Sequence, residues 1–383
     1  MKFRIIVLIF ILNIFLQLLS QTPIIDSLQT KLESAKGIEK IDIQIELSKL
    51  FREQDFAKSL EIAENALEES QKIHYQEGQA AALRSIADLY YDYRESEKAI
   101  SYYRKCIKIF SRLDNKTGIG YCYNAIGSIY IKNADYDNAL DNLLKSLKKY
   151  EDAGGVDLKS GTLNNIGLVY KEIGNYEKAL EYFIQAYESS INTEDFLNTC
   201  HILNNIGVIY NQVKQEDKAI DYYQQAIELA QKHGEEKIIA QCYNNIGNIF
   251  SKNGDFPKAL EYYLKALEIK RKDEDQKAIV YPLINIGNVY IEQEKFQEAI
   301  LYLEEALEIS QKNNLKELSR DAFLSLSNVY EAQNKYQRSL KFFQLYSAYK
   351  DSIMNEQISE KISNIEIKFE TEKKEKEIEI YKL

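Results

Sequence analysis

One beat of 40 residues governs this chain. Set in rows of that length, the sequence brings Tyr90, Tyr130, Tyr170, Tyr210, Phe250, Tyr290 and Tyr330 into a single column. Ala99, Ala139, Ala179, Ala219, Ala259 and Ala299 fill a second column, closed by Ser339. Gly127, Gly167, Gly207, Gly247 and Gly287 fill a third, with Ala87 and Ser327 at its ends. No gap is needed between rows. A period this strict means that one supersecondary unit is copied and stacked, each copy burying its apolar side against its neighbours.

Each row holds two bursts of helical periodicity. Leu163, Ile166, Gly167 and Tyr170 make one stripe, and Tyr176, Ala179, Leu180, Phe183 and Ala186 the next. Short breaks such as "IGNY", "NADY" and "NGDF" separate them. Gly and Asn there stop the first helix, and Asp135, Asn175 or Asp255 caps the second. Pro257 falls in the first turn of a second helix and Pro282 near the start of a first, where a missing N–H costs little. With only 3 Pro and 15 Gly in 383 residues, long helices are favoured throughout. Each row is therefore read as a helical hairpin in an all-α chain. Gly167 lets the two helices approach, Tyr170 fills the space beside them, and Ala179 accepts the crowding. Phe183, Tyr223 and Tyr263 are expected to plug the gap to the following hairpin.

"YNAIGSIY" from Tyr123 to Tyr130, followed by "ALDNL" from Ala139 to Leu143, resembles the tetratricopeptide (TPR) pattern W-x2-L-G-x2-Y…A-x3-F. The match is good from Ala81 to about Tyr349 and weaker from Ile41 to Ala80, where Ser59 and Ala66 keep register. That makes eight hairpins. The departures are a row of 40 residues instead of about 34 and the lack of the Pro that closes the second helix, so both helices are extended. The resemblance implies a right-handed superhelical solenoid with the first helices on its concave side.

Packing does not account for the Asn residues. Asn165, Asn205, Asn245 and Asn285 stand two places before the Gly; Asn248, Asn288 and Asn328 stand one place after that column. Positions three apart share a helix face, so stacked hairpins align their amides. An amide both donates and accepts, which suits the backbone of an extended peptide. The resemblance to tetratricopeptide proteins carries a peptide-contacting role to Asn165, Asn205, Asn245 and Asn285. The other reading is that these amides bond neighbouring helices. Asn124, Asn164, Asn204 and Asn244, one place earlier, are candidates for facing the next repeat.

No arrangement for catalysis, metal or cofactor is legible. His74, His201 and His233 occupy different repeat positions, and no phosphate loop, G-x-S-x-G or H-E-x-x-H occurs. A net charge of −10 without a basic block argues against nucleic acid as a partner. Cys106, Cys122, Cys200 and Cys242 sit mostly where other rows carry small residues, and are read as buried thiols.

The ends differ from the middle. Lys2 and Arg4 precede a mainly apolar run from Ile5 to Leu19, which reads as an export signal with an uncleaved membrane anchor as the rival. The divisions expected are a leader at 1–20, a lead-in helix at 21–40, repeats at 41–349 and a charged helix at 350–383. In that helix Ile358, Ile362, Ile365 and Phe369 form a short heptad seam, giving a homodimer contact as one reading and a single charged helix as the other. Ile24 to Leu28, Tyr349 to Ile353 and Lys368 to Glu379 are similar to parts of the exported repeat half of tetratricopeptide sensor histidine kinases and related helix-turn-helix regulators. That likeness implies a periplasmic sensor whose ligand is a peptide or protein and whose output domain lies outside these residues. The alternative is a free-standing exported scaffold.

Overall fold

The computed structural model describes residues 24–155, 158–191, 193–272 and 276–380. The leader read at 1–20 lies outside the described residues. Close packing divides the chain into two units, Met1–Ile202 and Leu203–Leu383. In the first unit α1 (24–34) precedes α2 (Gly37–Phe51), α3 (Phe56–Lys72), α4 (Gln76–Asp92) and α5 (Ser96–Arg112). It continues with α6 (Lys116–Lys132), α7 (Tyr136–Asp152), α8 (Ser160–Glu172) and α9 (Tyr176–Ser190). The unit boundary falls inside α10 (Phe196–Gln212). The second unit holds α11 (Glu216–His233), α12 (Glu236–Lys252), α13 (Phe256–Lys272) and a 3-10 turn at Gln276–Ile279. It ends with α14 (Val280–Glu292), α15 (Phe296–Lys312), α16 (Lys316–Ala332) and α17 (Tyr336–Ile380). All regular structure among the described residues is helical, and the eight expected hairpins are present.

The turns work as the sequence suggested, with one difference. After α8, Gly174 takes φ 80°, its N–H bonds Lys171 O, and Asn175 N–H bonds Tyr170 O at 2.9 Å. Asn175 then caps α9 by accepting from Lys178 N at 3.1 Å. Asp135 and Asp255 cap α7 and α13 in the same way. The difference is that the left-handed residue is glycine only at Gly174 and Gly254 in these first-to-second-helix turns. Arg94, Ala134, Lys214, Glu294 and Asn334 adopt it elsewhere. The bonds that close the turn outweigh the side-chain penalty of about 1 kcal/mol.

The glycine column has a more local purpose than a gap to the next row. A Cβ on Gly167 would lie 2.6 Å from Phe183, and one on Gly207 or Gly247 equally close to Tyr223 or Tyr263. These rings lie on the glycines of their own hairpins. They reach the following hairpin as well, as expected: Tyr263 shares a buried cluster with Val280 and Leu283 of α14. In the first hairpin the sizes are exchanged: Leu47 stands in the glycine column and Ala63 in the ring column, both fully buried.

Except at Tyr130, the tyrosine column stacks on the ring twelve places on. Tyr170 lies on Tyr182 with ring centroids 5.4 Å apart, and Tyr210 on Tyr222 at 5.3 Å. Lys178 and Lys218 cover the outer faces of those rings. All four thiols are buried and unbridged, as read from their positions.

Successive first helices touch: α2 with α4 and α6 with α8 in the first unit, α12 with α14 and α14 with α16 in the second. No pair of successive second helices packs as closely among the described residues. The first helices therefore form the tighter side of each unit, and whatever they expose faces along one surface. α17 is more than twice as long as any other helix and passes without a break through the end of the repeat register. Among the described residues no helix is long and apolar enough to cross a membrane.

Candidate functional site

The amide columns meet between hairpins. Asn165 Nδ2 on α8 donates to Asn124 Oδ1 and to Ser128 Oγ on α6, both at 3.0 Å. In the second unit Asn245 Nδ2 on α12 donates to Asn204 Oδ1 at 3.0 Å. Asn285 Nδ2 on α14 donates to Asn244 Oδ1 at 3.0 Å and to Asn248 Oδ1 at 3.3 Å. One rule covers these rows: the Asn two before the glycine donates to the Asn three before it in the preceding hairpin. The column of Asn124, Asn204 and Asn244 thus faces the next repeat, as one reading of the sequence held.

Bonding between helices, set against ligand contact in the sequence, is real, and it leaves the acceptor side open. Asn165, Asn245 and Asn285 are half-buried, and the bonds they make are donated from Nδ2. Their Oδ1 atoms accept from no protein group among the described residues. Each tether fixes an amide in one orientation, so its carbonyl is presented without further loss of side-chain freedom. Asn205 occupies the equivalent half-buried position. Asn248, Asn288 and Asn328 are exposed beside this row. Asn248 is the most constrained, since its Oδ1 also accepts from Tyr263 OH at 2.7 Å.

A charged cluster on α4 escapes the column reading. Arg84 and Asp88 stand where later rows carry only uncharged residues. Asp88 is buried, and its Oδ1 accepts from Tyr103 OH at 2.6 Å and Tyr121 OH at 3.0 Å. Arg52 lies 3.7 Å from its other oxygen and bonds Asp92 through two nitrogens. Burial raises the pKa of Asp88, while the Tyr103 hydrogen bond and the Arg52 charge pull it back. Arg84 rests over the Tyr121 ring at 5.3 Å. The signal available in the sequence was the appearance of Arg84 and Asp88 in columns that are otherwise uncharged. Among the described residues, no three His, Cys, Asp or Glu side chains gather as a metal site would require.

Stacked two-helix hairpins define a helical-repeat protein. The tetratricopeptide repeat model matches residues 50–112, 121–191, 198–272 and 279–350, well over half of the chain, and the chain belongs to that family. No curated protein matches its sequence. Aspartyl phosphate phosphatase F from Bacillus subtilis is 15% identical, with a TM-score of 0.60 over 86% of this chain and 88% of that one. A Rap protein complexed with Competence and Sporulation Factor is 14% identical, with a TM-score of 0.59 over 88% and 93%. A signal transduction ATPase with a tetratricopeptide repeat sensor from Pyrococcus horikoshii is 16% identical, with a TM-score of 0.65 over 86% of this chain and 53% of that one. At such identities the likeness is one of fold.

Proposed function

We propose that this tetratricopeptide chain is a non-catalytic recognition module that holds an extended peptide, or an extended stretch of a protein, along its first-helix face. The observation that carries the reading is the amide row. In the second unit Nδ2 of Asn245 and Asn285 is tied to the preceding hairpin, while Oδ1 stays available to accept, and Asn165 repeats the arrangement within the first unit. An extended polypeptide offers backbone N–H donors along its edge, and fixed carbonyls in register meet them whatever its side chains are. Such a face reads main chain and leaves side-chain preference to the residues around the amides. The fold's occurrence in a Rap protein complexed with a factor is a precedent for ligand binding, said of that protein.

In its fuller form the proposal makes the module the receiving part of a signal-transduction system. The basic, apolar start from Lys2 to Leu19 would export it, and α17 would carry the bound state to an output domain or partner. Small rotations between hairpins are the movement such a relay requires.

Selection of a random peptide library on the immobilised chain, followed by affinity measurement on the selected peptides, tests the recognition reading. Asn245→Ala with Asn285→Ala is expected to weaken binding about ten- to thirtyfold, since each lost hydrogen bond is worth about 1 kcal/mol. Equal affinity for the parent and the double variant would sink it.

A further inference from the structure

The outward face of α17 carries a row of apolar side chains that nothing among the described residues covers. In earlier hairpins the residue equivalent to Phe343 is at most 2% exposed: Tyr103, Leu143, Phe183, Tyr223, Tyr263 and Leu303. Phe343 itself is 49% exposed, and Tyr336 and Leu340 are more open still. Beyond the repeat register the same helix exposes Met354, Ile358 and Ile362, each by half or slightly more. At about 100° per residue these positions, with the exposed Ser347 between them, fall within roughly a quarter to a third of the helix circumference. They make one stripe. Single exposed apolar residues need no explanation, whereas a continuous stripe along a helix marks a contact surface.

The stripe reads the same from either end. Measured outward from the Lys350–Asp351 bond, Ser347 mirrors Met354, Phe343 mirrors Ile358, and Leu340 mirrors Ile362 to within one residue. The charges are also complementary about that point. Residues 335–350 carry Lys335, Arg338, Lys341 and Lys350 and no carboxylate, while the mirrored residues 351–366 carry Asp351, Glu356, Glu360 and Glu366 against the one cation Lys361. A parallel pairing of two such helices would set like charge against like. An antiparallel pairing sets the basic stretch of each against the acidic stretch of the other. It also repeats what the fold does elsewhere, because the helix that covers α5, α13 or α15 is the next first helix, which runs antiparallel to it.

We propose that two copies of this chain associate through α17 in antiparallel fashion about a two-fold axis at Lys350–Asp351. Phe343 of each copy then faces Ile358 of the other, and Ser347 faces Met354. The projecting part of each helix takes, on its partner, the place that a ninth hairpin would fill. A two-fold contact is self-complementary by construction, which is what a mirrored stripe provides. The surface lies apart from the amide face, so this inference stands or falls independently of peptide binding.

Sedimentation of the purified full chain at micromolar concentration gives the first readout, with a dimer expected. Phe343→Glu combined with Ile358→Glu should give a monomer of unchanged helicity, since both side chains are half exposed in the single chain. Orientation is read by disulfide trapping. A mixture of a Ser347→Cys chain and a Met354→Cys chain should form a mixed cross-link, and neither chain should link to its own kind. In the antiparallel pair, like positions are about 10 Å apart along the axis, beyond disulfide reach. A monomeric parent chain, a dimer that survives the double Glu substitution, or Ser347→Cys linking to itself would each overturn the proposal.

Discussion

Asn285 Nδ2 donates to Asn244 Oδ1 at 3.0 Å, so an amide on α14 is bonded to an amide on α12, one hairpin earlier. A second bond from the same nitrogen reaches Asn248 Oδ1 at 3.3 Å. The row of amides is therefore part of the joint between repeats as well as a surface. Asn285→Ala removes both bonds and is expected to lower the free energy of unfolding by about 1–2 kcal/mol in urea titration. Asn288→Ala, exposed on the same helix, is expected to stay within about 0.5 kcal/mol of the parent.

Two glycines of α8 should respond to alanine with opposite signs. A Cβ on Gly167 meets Phe183 at 2.6 Å, so Gly167→Ala overpacks the hairpin and is expected to cost about 1–3 kcal/mol. A Cβ on Gly161 meets nothing within 4 Å, and Gly161→Ala should gain up to about 1 kcal/mol from helix propensity. Denaturation midpoints of the two variants on either side of the parent would confirm the difference; two losses would show that the hairpin is crowded along its whole length.

The ring stack of the other rows is missing at Tyr130, because the residue twelve places on is Asn142. Asn142→Tyr should supply it, adding about 0.5–1 kcal/mol of stability. An unchanged or lower melting temperature would mean that the stacks at Tyr170 and Tyr210 are incidental to stability.

Asp88 gives the chain a pH dependence of definite sign. Burial raises its pKa in the folded state above that of the unfolded carboxyl, so the folded chain holds the proton more firmly. Stability from this group is thus lost as pH rises from about 4 through the folded value. Asp88→Asn keeps the acceptor for Tyr103 and cannot ionise. The melting temperature of the variant minus that of the parent should grow as pH rises from about 4 and then level off. A difference that shrinks over that range would mean that Arg52 dominates and holds Asp88 ionised.

Much of this was legible in the sequence because the repeat supplies the same statement several times. The glycine, alanine and tyrosine columns show the hairpin, and Asp135, Asn175 and Asp255 cap as their positions say. That Phe183, Tyr223 and Tyr263 also lie on the glycines of their own hairpins was not legible, because a column shows that a ring is buried and not which sides cover it. The left-handed residues Arg94, Ala134 and Lys214 carry no glycine to mark them; the turn imposes that conformation through its hydrogen bonds. The cluster of Asp88, Arg52, Tyr103 and Tyr121 was missed because it occurs once, and one of its members lies in the weakly matching first row. For Asn245 and Asn285 the pattern pointed to two uses, and the geometry shows how one amide has a side for each.

The most direct test removes the donor from the ligand instead of the acceptor from the protein. A selected peptide is compared with versions in which single backbone amides are replaced by esters, against the parent chain and against Asn245→Ala with Asn285→Ala. The account predicts that at one or more positions the ester costs the parent about 1 kcal/mol of binding, and that this loss disappears in the double variant. Ester losses of equal size in both proteins would show that the carbonyls of Asn245 and Asn285 do not hold the ligand backbone.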